Sequence, residues 1–365
     1  MDPAISENYR VAIVGATGVV GQKVLQVLEE RSFPVGELVP FSSRRSAGQS
    51  VAFRGRELLC QTLSEDRLDG FDLVFSSAGG SVSREWAPRF AERGAIVIDK
   101  SSAWRMDDDV PLVVPEVNPD AVDRALSGRG IISSPNCSTM QMVVALSPLH
   151  DEATIEEIIV STYQSVSGTG RAAIDELKEQ THALLDDTQP PKSHVYTHQI
   201  AFNVLPQVET FADDDEGYTT EERKMMDETR KILNVGEDEL QIVATCARVP
   251  VINCHSESIR IRTRQPLSVA RCRQLLAAAD GVELVDDPGH GVYPLNVDAA
   301  DRDEVFVGRI RADLGRQRGN YLNMWVVGDN LRKGAATNAV QIAELLHTRS
   351  VASVEQRRAR HLVRL

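Results

Sequence analysis

The sequence predicts an α/β protein in which a doubly wound parallel sheet is followed by an α+β domain with a largely antiparallel sheet. Over residues 1–136, short apolar runs alternate with helical segments, which is typical of buried parallel strands joined by helices. Beyond them, longer segments alternate apolar and polar residues, as antiparallel strands with one solvated face do. A chain of 365 residues is long enough to form two domains.

The first predicted strand, residues 10–14, leads directly into the glycine-rich turn GATGVVG at 15–21, and a helix with one apolar face follows. This is the G-x-x-G-x-x-G variant of the Rossmann-like dinucleotide fingerprint. Its glycines admit the pyrophosphate, and the helix N-terminus supplies N–H donors. A tight turn that binds nothing is the poorer alternative. Cofactor contacts are therefore predicted at Gly15, Thr17, Gly18, Val19 and Val20.

The second predicted strand, residues 37–41, ends in the loop SSRRSAG at 42–48. An NAD site favours a carboxylate near this position, where it accepts from the ribose 2′-hydroxyl. Arg45 and Ser46 suit a 2′-phosphate instead, which a carboxylate would repel. A solvated basic loop is the alternative, but the position at the end of the second strand favours NADP(H) as the cofactor.

Two further buried strands are predicted at 71–75 and 95–99, and each ends in a polar loop. Open α/β sheets bind their ligands at the carboxyl ends of such strands. Arg105 lies in the second of these loops and is either a surface salt-bridge partner or an anion clamp. Its placement favours the clamp.

The segment SSPNCST at 133–139 joins an apolar strand to a helical run. Pro135 interrupts regular structure before the helix begins, and Ser138 and Thr139 are expected to satisfy some of its first N–H groups. Cys137 then lies at a helix N-terminus, a setting that lowers a thiol pKa and favours the nucleophilic thiolate. A buried, inert cysteine is the alternative that this segment alone leaves open.

The second half of the chain carries further candidate site residues. Thr219 to Glu222 fit a capping box that opens a helix through Leu233, with Glu221 and Lys224 on one face. Arg248 and His255 would lie on opposite faces of an unbroken strand, but Pro250 permits an interruption, so their convergence stays open here. Strands are predicted at 155–166, 241–253, 256–264, 305–312 and 321–327, and helices at 266–280 and 335–347.

Composition excludes several classes of function. The formal net charge of −13 argues against nucleic acid and anionic membrane surfaces as partners. The sequence contains no apolar run of the ~18 residues that a membrane span needs, and residues 1–10 lack the apolar core of a signal peptide. Five cysteines without disulfide or zinc-site spacing indicate a cytoplasmic protein with reduced thiols and no metal site.

Ten segments in order resemble the aspartate-semialdehyde dehydrogenase family across nearly the whole chain. They are VGATGVVG, SSRRSAG, SSAGG, SSAWR, VPEVN, SSPNCST, YQSVSGTG, YTTEERK, ARVPVINCHSES and GDNLRKGAA. SSPNCST is the most specific of them. One departure is Thr169, where family members often have alanine, and the added hydroxyl and methyl groups could alter the fit of the nicotinamide.

The resemblance implies reversible, NADP-linked conversion of L-aspartyl 4-phosphate into L-aspartate 4-semialdehyde and phosphate, in the biosynthesis of lysine, methionine and threonine. Cys137 would form an acyl thioester that NADPH reduces. His255 would take the thiol proton and later exchange one with the thiohemiacetal oxygen. Backbone N–H groups at the start of the helix, with Asn136, would stabilise the oxyanion. Gln164 would orient Cys137 and the acyl group.

The resemblance also implies the remaining contacts. Arg248 would bind the substrate carboxylate, Glu221 the ammonium group, and Arg105 and Lys224 the phosphate. Ser167, Gly168 and Asn330 are expected to contact the cofactor. Residues 1–136 with a C-terminal helix at about 335–365 would form the NADP-binding domain. Residues 137–334 would form the catalytic and dimerisation domain of a homodimer.

Two other classes of protein share part of this pattern. A related acyl-phosphate reductase, such as an N-acetyl-glutamyl-phosphate reductase, shares the glycine fingerprint and a catalytic cysteine, but tyrosine and proline follow that cysteine. A non-catalytic NADPH-binding protein would keep the glycine turn while losing Cys137, Gln164 or His255, and this chain has all three.

Overall fold

The computed structural model of the chain describes residues 8–315 and 319–362, with side chains described up to Arg349. The described residues form two compact units. The first holds the chain up to Ser134 together with the segment from Ala336, and the second holds Pro135–Ala335. The predicted boundaries, after residues 136 and 334, differ from these by two residues and one residue. The roles assigned to the two domains stay predictions.

The first unit is built on a five-stranded parallel sheet with the strand order β2-β1-β5-β6-β7. Successive side chains of β1 point to opposite faces, so Val11 and Ile13 join one apolar cluster while Ala12 and Val14 join another. The two clusters explain the near-continuous apolar strands, since both faces of the sheet are buried. The strands are β1 (Tyr9–Val14), β2 (Val35–Phe41), β5 (Leu73–Ser76), β6 (Ile96–Asp99) and β7 (Ile131–Ser133).

Three helices and one hairpin accompany this sheet in the part of the first unit that precedes residue 135. The hairpin consists of β3 (Ser50–Phe53) and β4 (Arg56–Leu59), which pair antiparallel. The helices are α1 (Val19–Glu30), α2 (Gly80–Glu92) and α3 (Val122–Ser127). The predicted doubly wound parallel sheet is therefore confirmed.

The second unit is built on a six-stranded sheet with the order β11-β12-β13-β10-β8-β9. Its three inner pairs are antiparallel, whereas the outer pairs β8·β9 and β11·β12 are parallel. The sheet is thus mixed, because helical crossovers connect the members of each outer pair. The strands are β8 (Ile155–Gln164), β9 (Gln241–Arg248), β10 (His255–Thr263), β11 (Val282–Leu284), β12 (Val305–Ala312) and β13 (Tyr321–Gly328).

The helices of the second unit include one that the sequence analysis did not predict, α5. The predicted capping box is present at the start of α6, where Thr219 and Glu222 exchange hydrogen bonds. The helices are α4 (Cys137–Ala153), α5 (Arg171–Leu185), α6 (Thr220–Leu233), α7 (Val269–Ala278) and α8 (Asn296–Ala299).

Side chains on one face of the second sheet stay exposed. Helices α4 and α6 pack on strands of this sheet, which buries the inward-facing residues of β8 and β9. The alternating residues point away from these helices, and Ile159, Tyr163 and Val243 are exposed apolar examples.

The C-terminal helix α9 (Thr337–Leu362) follows a π-helical turn at Arg332–Ala336 and belongs to the first unit. It continues well beyond His347, where the helical pattern was predicted to end, and extends through most of the segment at about 335–365 that the predicted domain includes. Residues 1–7 and 363–365, which the predicted domain includes, lie outside the described residues. In the described part of the chain, every helix is too short or too polar to span a membrane.

Candidate active site

Cys137 is the first residue of α4, and Asn136 is its N-cap. The Cys137 sulfur lies 3.5 Å from Asn136 Oδ1 and 3.3 Å from His255 Nε2. The expected help from Ser138 and Thr139 is wrong. Both residues are fully buried, and their hydroxyls have no hydrogen-bond partner among the described residues. Neither hydroxyl therefore caps the helix.

The turn before Cys137 is held by two carboxyl groups of α6. The backbone N–H of Asn136 donates to Glu228 Oε2 at 2.6 Å, and its Nδ2 donates to Glu221 Oε1 at 2.8 Å. Asn136 was expected to help stabilise the oxyanion. Both N–H donors are engaged by these carboxyl groups, and its Oδ1 contacts the Cys137 sulfur; its role in stabilising the oxyanion stays a prediction.

Glu221 connects two of the predicted residues. Its Oε1 accepts from Gln164 Nε2 at 2.8 Å as well as from Asn136, and all three side chains are buried. Gln164 is the last residue of β8, so the end of this strand and the start of α4 meet at one carboxyl oxygen. The structure brings Asn136, Cys137, Gln164 and Glu221 to one cavity.

The His255 ring has a defined orientation. The backbone N–H of Ser165 donates to His255 Nδ1 at 3.0 Å, so Nδ1 must carry a lone pair. A neutral imidazole then has its proton on Nε2, which faces the Cys137 sulfur. This arrangement differs from the expected uptake of the thiol proton by His255, since Nε2 is a donor here.

Arg248 and His255 converge because the chain turns between them. Strand β9 ends at Arg248 and β10 begins at His255, so residues 249–254 form the predicted interruption. Arg248 Nη1 donates to Ser165 O at 2.7 Å, and the buried Nε has no hydrogen-bond partner in the described part of the chain. A Cβ at Gly168 would lie 3.3 Å from the His255 ring and 3.4 Å from Arg248 Nη1, which explains the glycine.

These side chains line a cavity of about 410 Å³ within the second unit. Its polar lining combines a thiol, an imidazole, a carboxyl, an amide and a guanidinium group, which suits a small zwitterionic ligand. The lining includes Asn136, Cys137, Gln164, Gly168, Thr169, Tyr196, Glu209, Glu221, Arg248 and His255.

Neither of the two predicted phosphate ligands, Lys224 and Arg105, is part of the cavity lining. Lys224 forms an ion pair with Glu209, which lines the cavity, and its Nζ is 3.9 Å from Glu221 Oε2. Arg105 belongs to the first unit and is buried there. Its Nε donates to Ser134 O at 3.0 Å, and its Nη2 donates to Lys100 O at 2.8 Å.

The glycine turn at the start of α1 is shaped for close approach to the backbone. Gly15 has φ +86°, and a Cβ at Gly21 would lie 2.2 Å from Gly15 O. Gly18 is the N-cap of α1 and has no side chain, so the start of this helix lacks a side-chain cap. Thr17, Val19 and Val20 are its neighbours in the sequence. These features fit a dinucleotide pyrophosphate.

The other predicted cofactor residues differ in exposure. Arg45 is exposed and has no ion-pair partner among the described residues, and Ser46 is half-buried in the same loop. Ser167 and Asn330 are buried in the second unit, where Asn330 Nδ2 donates to Ser167 Oγ at 2.9 Å. Asn330 Oδ1 also accepts from the N–H of Cys254, the residue before His255.

The other four cysteines differ from Cys137. Cys60, Cys246, Cys254 and Cys272 are buried, and burial raises the pKa of each thiol, to about 12 for Cys272. Cys137 is partly exposed in the cavity. In the described part of the chain, no three histidine, cysteine or acidic side chains are grouped as a metal site would require.

Sequence reasoning missed two residues beside the nucleophile. Glu228 follows Glu221 by seven residues, which places both on one face of α6, and this spacing could have indicated it. Gly334 was part of a recognised motif but had no role. A Cβ there would lie 2.8 Å from Cys137 Cβ, so the glycine is needed for this packing.

A dinucleotide-type turn on a parallel sheet, with a cysteine at a helix start facing a histidine, defines a nicotinamide-dependent dehydrogenase that uses a thiol nucleophile. Two family models match the chain. "Semialdehyde dehydrogenase, NAD binding domain" covers residues 10–125, and "Semialdehyde dehydrogenase, dimerisation domain" covers residues 146–333.

Individual relatives agree. Aspartate-semialdehyde dehydrogenase of Aquifex aeolicus is 55% identical over 93% of this chain and 98% of its own length. The structure of aspartate semialdehyde dehydrogenase II from Vibrio cholerae complexed with ASA is 47% identical, with a TM-score of 0.89 over 93% of this chain and 98% of that one. The Candida albicans enzyme with NADP is 27% identical, with a TM-score of 0.71 over 93% and 98%.

The chain belongs to the aspartate-semialdehyde dehydrogenase family. The expected family, fold, enzyme class and dinucleotide-binding domain are therefore confirmed. The comparisons do not test the roles of individual residues, which stay predictions.

Proposed function

We propose that this chain reduces L-aspartyl 4-phosphate reversibly to L-aspartate 4-semialdehyde and phosphate with NADPH, through an acyl thioester on Cys137. The observation that carries the proposal is the 3.3 Å contact between the Cys137 sulfur and His255 Nε2 at the start of α4. A helix N-terminus and an N–H donor both stabilise a thiolate.

The first step is acyl transfer to sulfur. The Cys137 thiolate attacks the acyl carbon, the bond from carbon to the phosphate oxygen breaks, and phosphate leaves with its electron pair. Before deprotonation, the Cys137 S–H donates to Asn136 Oδ1, so the side chain that Glu221 anchors orients the thiol. The thiolate lacks this bond and is stabilised by N–H donors instead. Gln164 is held by the same carboxyl oxygen and faces the cavity.

The second step reduces the thioester. When bound, NADPH would supply a hydride to the thioester carbonyl carbon, whose oxygen would then become an oxyanion. The Nε2–H of His255 and the N-terminal N–H groups of α4 stabilise this oxyanion as hydrogen-bond donors. Collapse of the oxyanion breaks the C–S bond and returns the thiolate, so the release of the aldehyde needs no net proton transfer from His255.

Substrate recognition follows the charges of the cavity. Arg248 suits the α-carboxylate because its guanidinium is buried and its Nε lacks a protein partner among the described residues. Glu221 suits the α-ammonium group. We assign the phosphate to Lys224, which would exchange its ion pair with Glu209 for the ligand, and to Arg105.

The cofactor is proposed to be NADP(H). The turn at Gly15, Gly18 and Gly21 fits the pyrophosphate, and the exposed Arg45 and Ser46 fit the 2′-phosphate. Ser167, Gly168 and Asn330 are assigned to the nicotinamide end. The reaction requires a free thiol, which suits the reducing cytoplasm.

The partner is proposed to be a second copy of the chain. The match to a dimerisation domain over 146–333 supports a homodimer. The exposed apolar residues Ile159, Tyr163 and Val243 on the uncovered face of the second sheet suit such an interface.

The test is phosphate-dependent reduction of NADP+ by L-aspartate 4-semialdehyde. We expect turnover by the natural chain and a loss of at least about 10³-fold for Cys137→Ala. The buried Cys272→Ala is the control and should stay active. Cofactor binding without turnover by the natural chain would contradict the proposal.

A further inference from the structure

Tyr196 lines the same cavity but has no part in the reaction described above. Its ring centroid lies 5.9 Å from the Arg248 guanidinium carbon, within the range of a cation–π contact. Its hydroxyl donates to Thr169 Oγ1 at 3.1 Å. Burial raises the pKa of this phenol, which keeps it protonated as the donor. The residue therefore connects Arg248 to the loop at 167–170.

The segment that carries Tyr196 is irregular but firmly held. Glu176 of α5 is buried and accepts from the backbone N–H groups of His194 and Val195 at 2.6 and 2.7 Å. Gln180, one helical turn later, accepts from the N–H groups of Ile200 and Ala201. These bonds fix the segment on both sides of Tyr196, so its ring has a defined position in the cavity wall.

We propose that Tyr196 is a positioning residue for Arg248, and that its hydrogen bond to Thr169 holds the ring against the guanidinium. This inference rests on the proposed binding of the substrate carboxylate by Arg248. A planar ring beside the guanidinium restricts its motion and shields it from water, which strengthens its bonds to a carboxylate. Thr169 is also the position where the sequence departs from the alanine common in the family. Its hydroxyl would help to position Arg248 for the substrate carboxylate by accepting the hydrogen bond from Tyr196.

Bidentate binding of a carboxylate depends on the orientation of the guanidinium plane. Arg248 Nη1 is fixed by Ser165 O on one side, and the Tyr196 ring supplies a second constraint. The loss of either constraint should weaken binding of the α-carboxylate. The sulfur chemistry at Cys137 should stay unchanged, because neither Tyr196 nor Thr169 has a hydrogen bond to Cys137 or His255 among the contacts of the described residues.

The test is a double-mutant cycle on KM for L-aspartate 4-semialdehyde. Thr169→Ala and Tyr196→Phe should each raise this KM about two- to tenfold, the usual effect of one lost hydrogen bond, with kcat little changed. The double variant should be no worse than the more affected single variant, since both substitutions remove the same bond. Thr169→Ser, which keeps the hydroxyl, should restore the natural KM.

A larger change tests the ring itself. Tyr196→Leu removes the cation–π contact but keeps an apolar side chain, and we expect KM to rise about tenfold or more. The control is Tyr321→Leu, because Tyr321 also has an arginine over its ring, Arg260 at 4.3 Å. Tyr321 begins β13, whose other end, Gly328, is the residue that pairs with His255. Thermal unfolding of each variant identifies any that fail to fold.

Three results would overturn the inference. They are multiplicative effects in the double variant, a rise in KM for NADP+ instead of the semialdehyde, and unchanged kinetics in all variants. An assay of the natural chain in parallel distinguishes failure of this inference from failure of the proposed function. If the natural chain turns over the semialdehyde while the Tyr196 and Thr169 variants behave in any of these ways, only the inference is wrong.

Discussion

The starts of α1 and α4 are predicted to bind the cofactor pyrophosphate and to carry the nucleophile, and they are built from different kinds of residues. Neither N-cap residue, Gly18 or Asn136, caps its helix with a side chain. At α1 the turn is made by glycines within seven residues of each other. At α4 the residues that contact Asn136 and Cys137 come from far along the chain, with Glu228 92 residues and His255 118 residues away. Binding a phosphate needs mainly backbone N–H groups, whereas covalent catalysis needs side chains gathered from several elements.

The variant Arg248→Ala is the sharpest test of the active-site cavity at the start of α4. Removing the guanidinium leaves a buried substrate carboxylate unpaired, so kcat/KM for the semialdehyde should fall by about 2–5 kcal/mol of transition-state binding, roughly 30-fold to several thousandfold. The control is Arg264→Ala, since Arg264 is more than half exposed and pairs with Glu156 on the surface. Near-natural kcat/KM in Arg248→Ala would refute the assignment.

The variant Gly21→Ala tests the glycine turn at the start of α1. An added Cβ would lie 2.2 Å from Gly15 O and 2.8 Å from Ala16 Cα, so the backbone of the turn must shift. We expect the dissociation constant of NADPH to rise about tenfold or more and the stability to fall by about 1–3 kcal/mol. Fluorescence titration of NADPH measures the first effect. The Gly289→Ala variant, whose Cβ would meet its nearest neighbour at 3.5 Å, is the control. Unchanged NADPH affinity in Gly21→Ala would remove the basis for this turn as the cofactor site.

Glu228 tests whether the nucleophile depends on remote anchors. Glu228→Ala leaves the buried N–H of Asn136 without its acceptor, so kcat should fall about 10- to 100-fold while KM changes less. Glu228→Gln keeps an acceptor oxygen and should recover most of this loss. Asp227→Asn on the same helix is the control, since its half-exposed side chain pairs only with nearby Arg230 among the described contacts. Equal losses in the Ala and Gln variants would show that the acceptor oxygen is not what matters.

The remaining prediction concerns the pH dependence of stability at Glu257. Its carboxyl oxygens are buried, and burial raises the pKa of this group well above 4.5; the neighbouring Gln141 amide opposes the shift, and nearby Glu221 adds to it. The folded chain therefore keeps a proton that the unfolded chain loses above pH 4.5, so stability falls as the pH rises from there toward the raised pKa. The slope is at most about 1.4 kcal/mol per pH unit. Glu257→Gln should remove this slope in urea unfolding measured between pH 5 and 8. The same slope in natural and variant chains would contradict the assignment.

Much of the fold could be predicted because its signals are local. The start of α4, the capping box of α6 and the bounds of β12 follow from neighbouring residues, and the structure has them as predicted. Helix α5 was missed because it directly follows the loop at 167–170, which was interpreted as a ligand contact alone. The parallel outer pairs of the second sheet depend on where crossovers return, which strand patterns do not encode.

The site could be predicted only in part. Cys137, Gln164, Glu221, Arg248 and His255 were all proposed from the sequence, and the structure brings them to one cavity. Their hydrogen-bond partners were not predictable, because the Ser165 donor to His255 and the Glu228 acceptor for Asn136 depend on tertiary packing. The ring orientation of His255 likewise follows from a backbone N–H, which carries no signal in a sequence.

The covalent step at Cys137 is tested most directly by mass spectrometry. The chain is incubated with L-aspartate 4-semialdehyde and NADP+ without phosphate, quenched in acid and digested. We expect a burst of one NADPH per active site and an aspartyl adduct on the peptide that contains Cys137. A burst of NADPH with an unmodified Cys137 peptide would contradict the account.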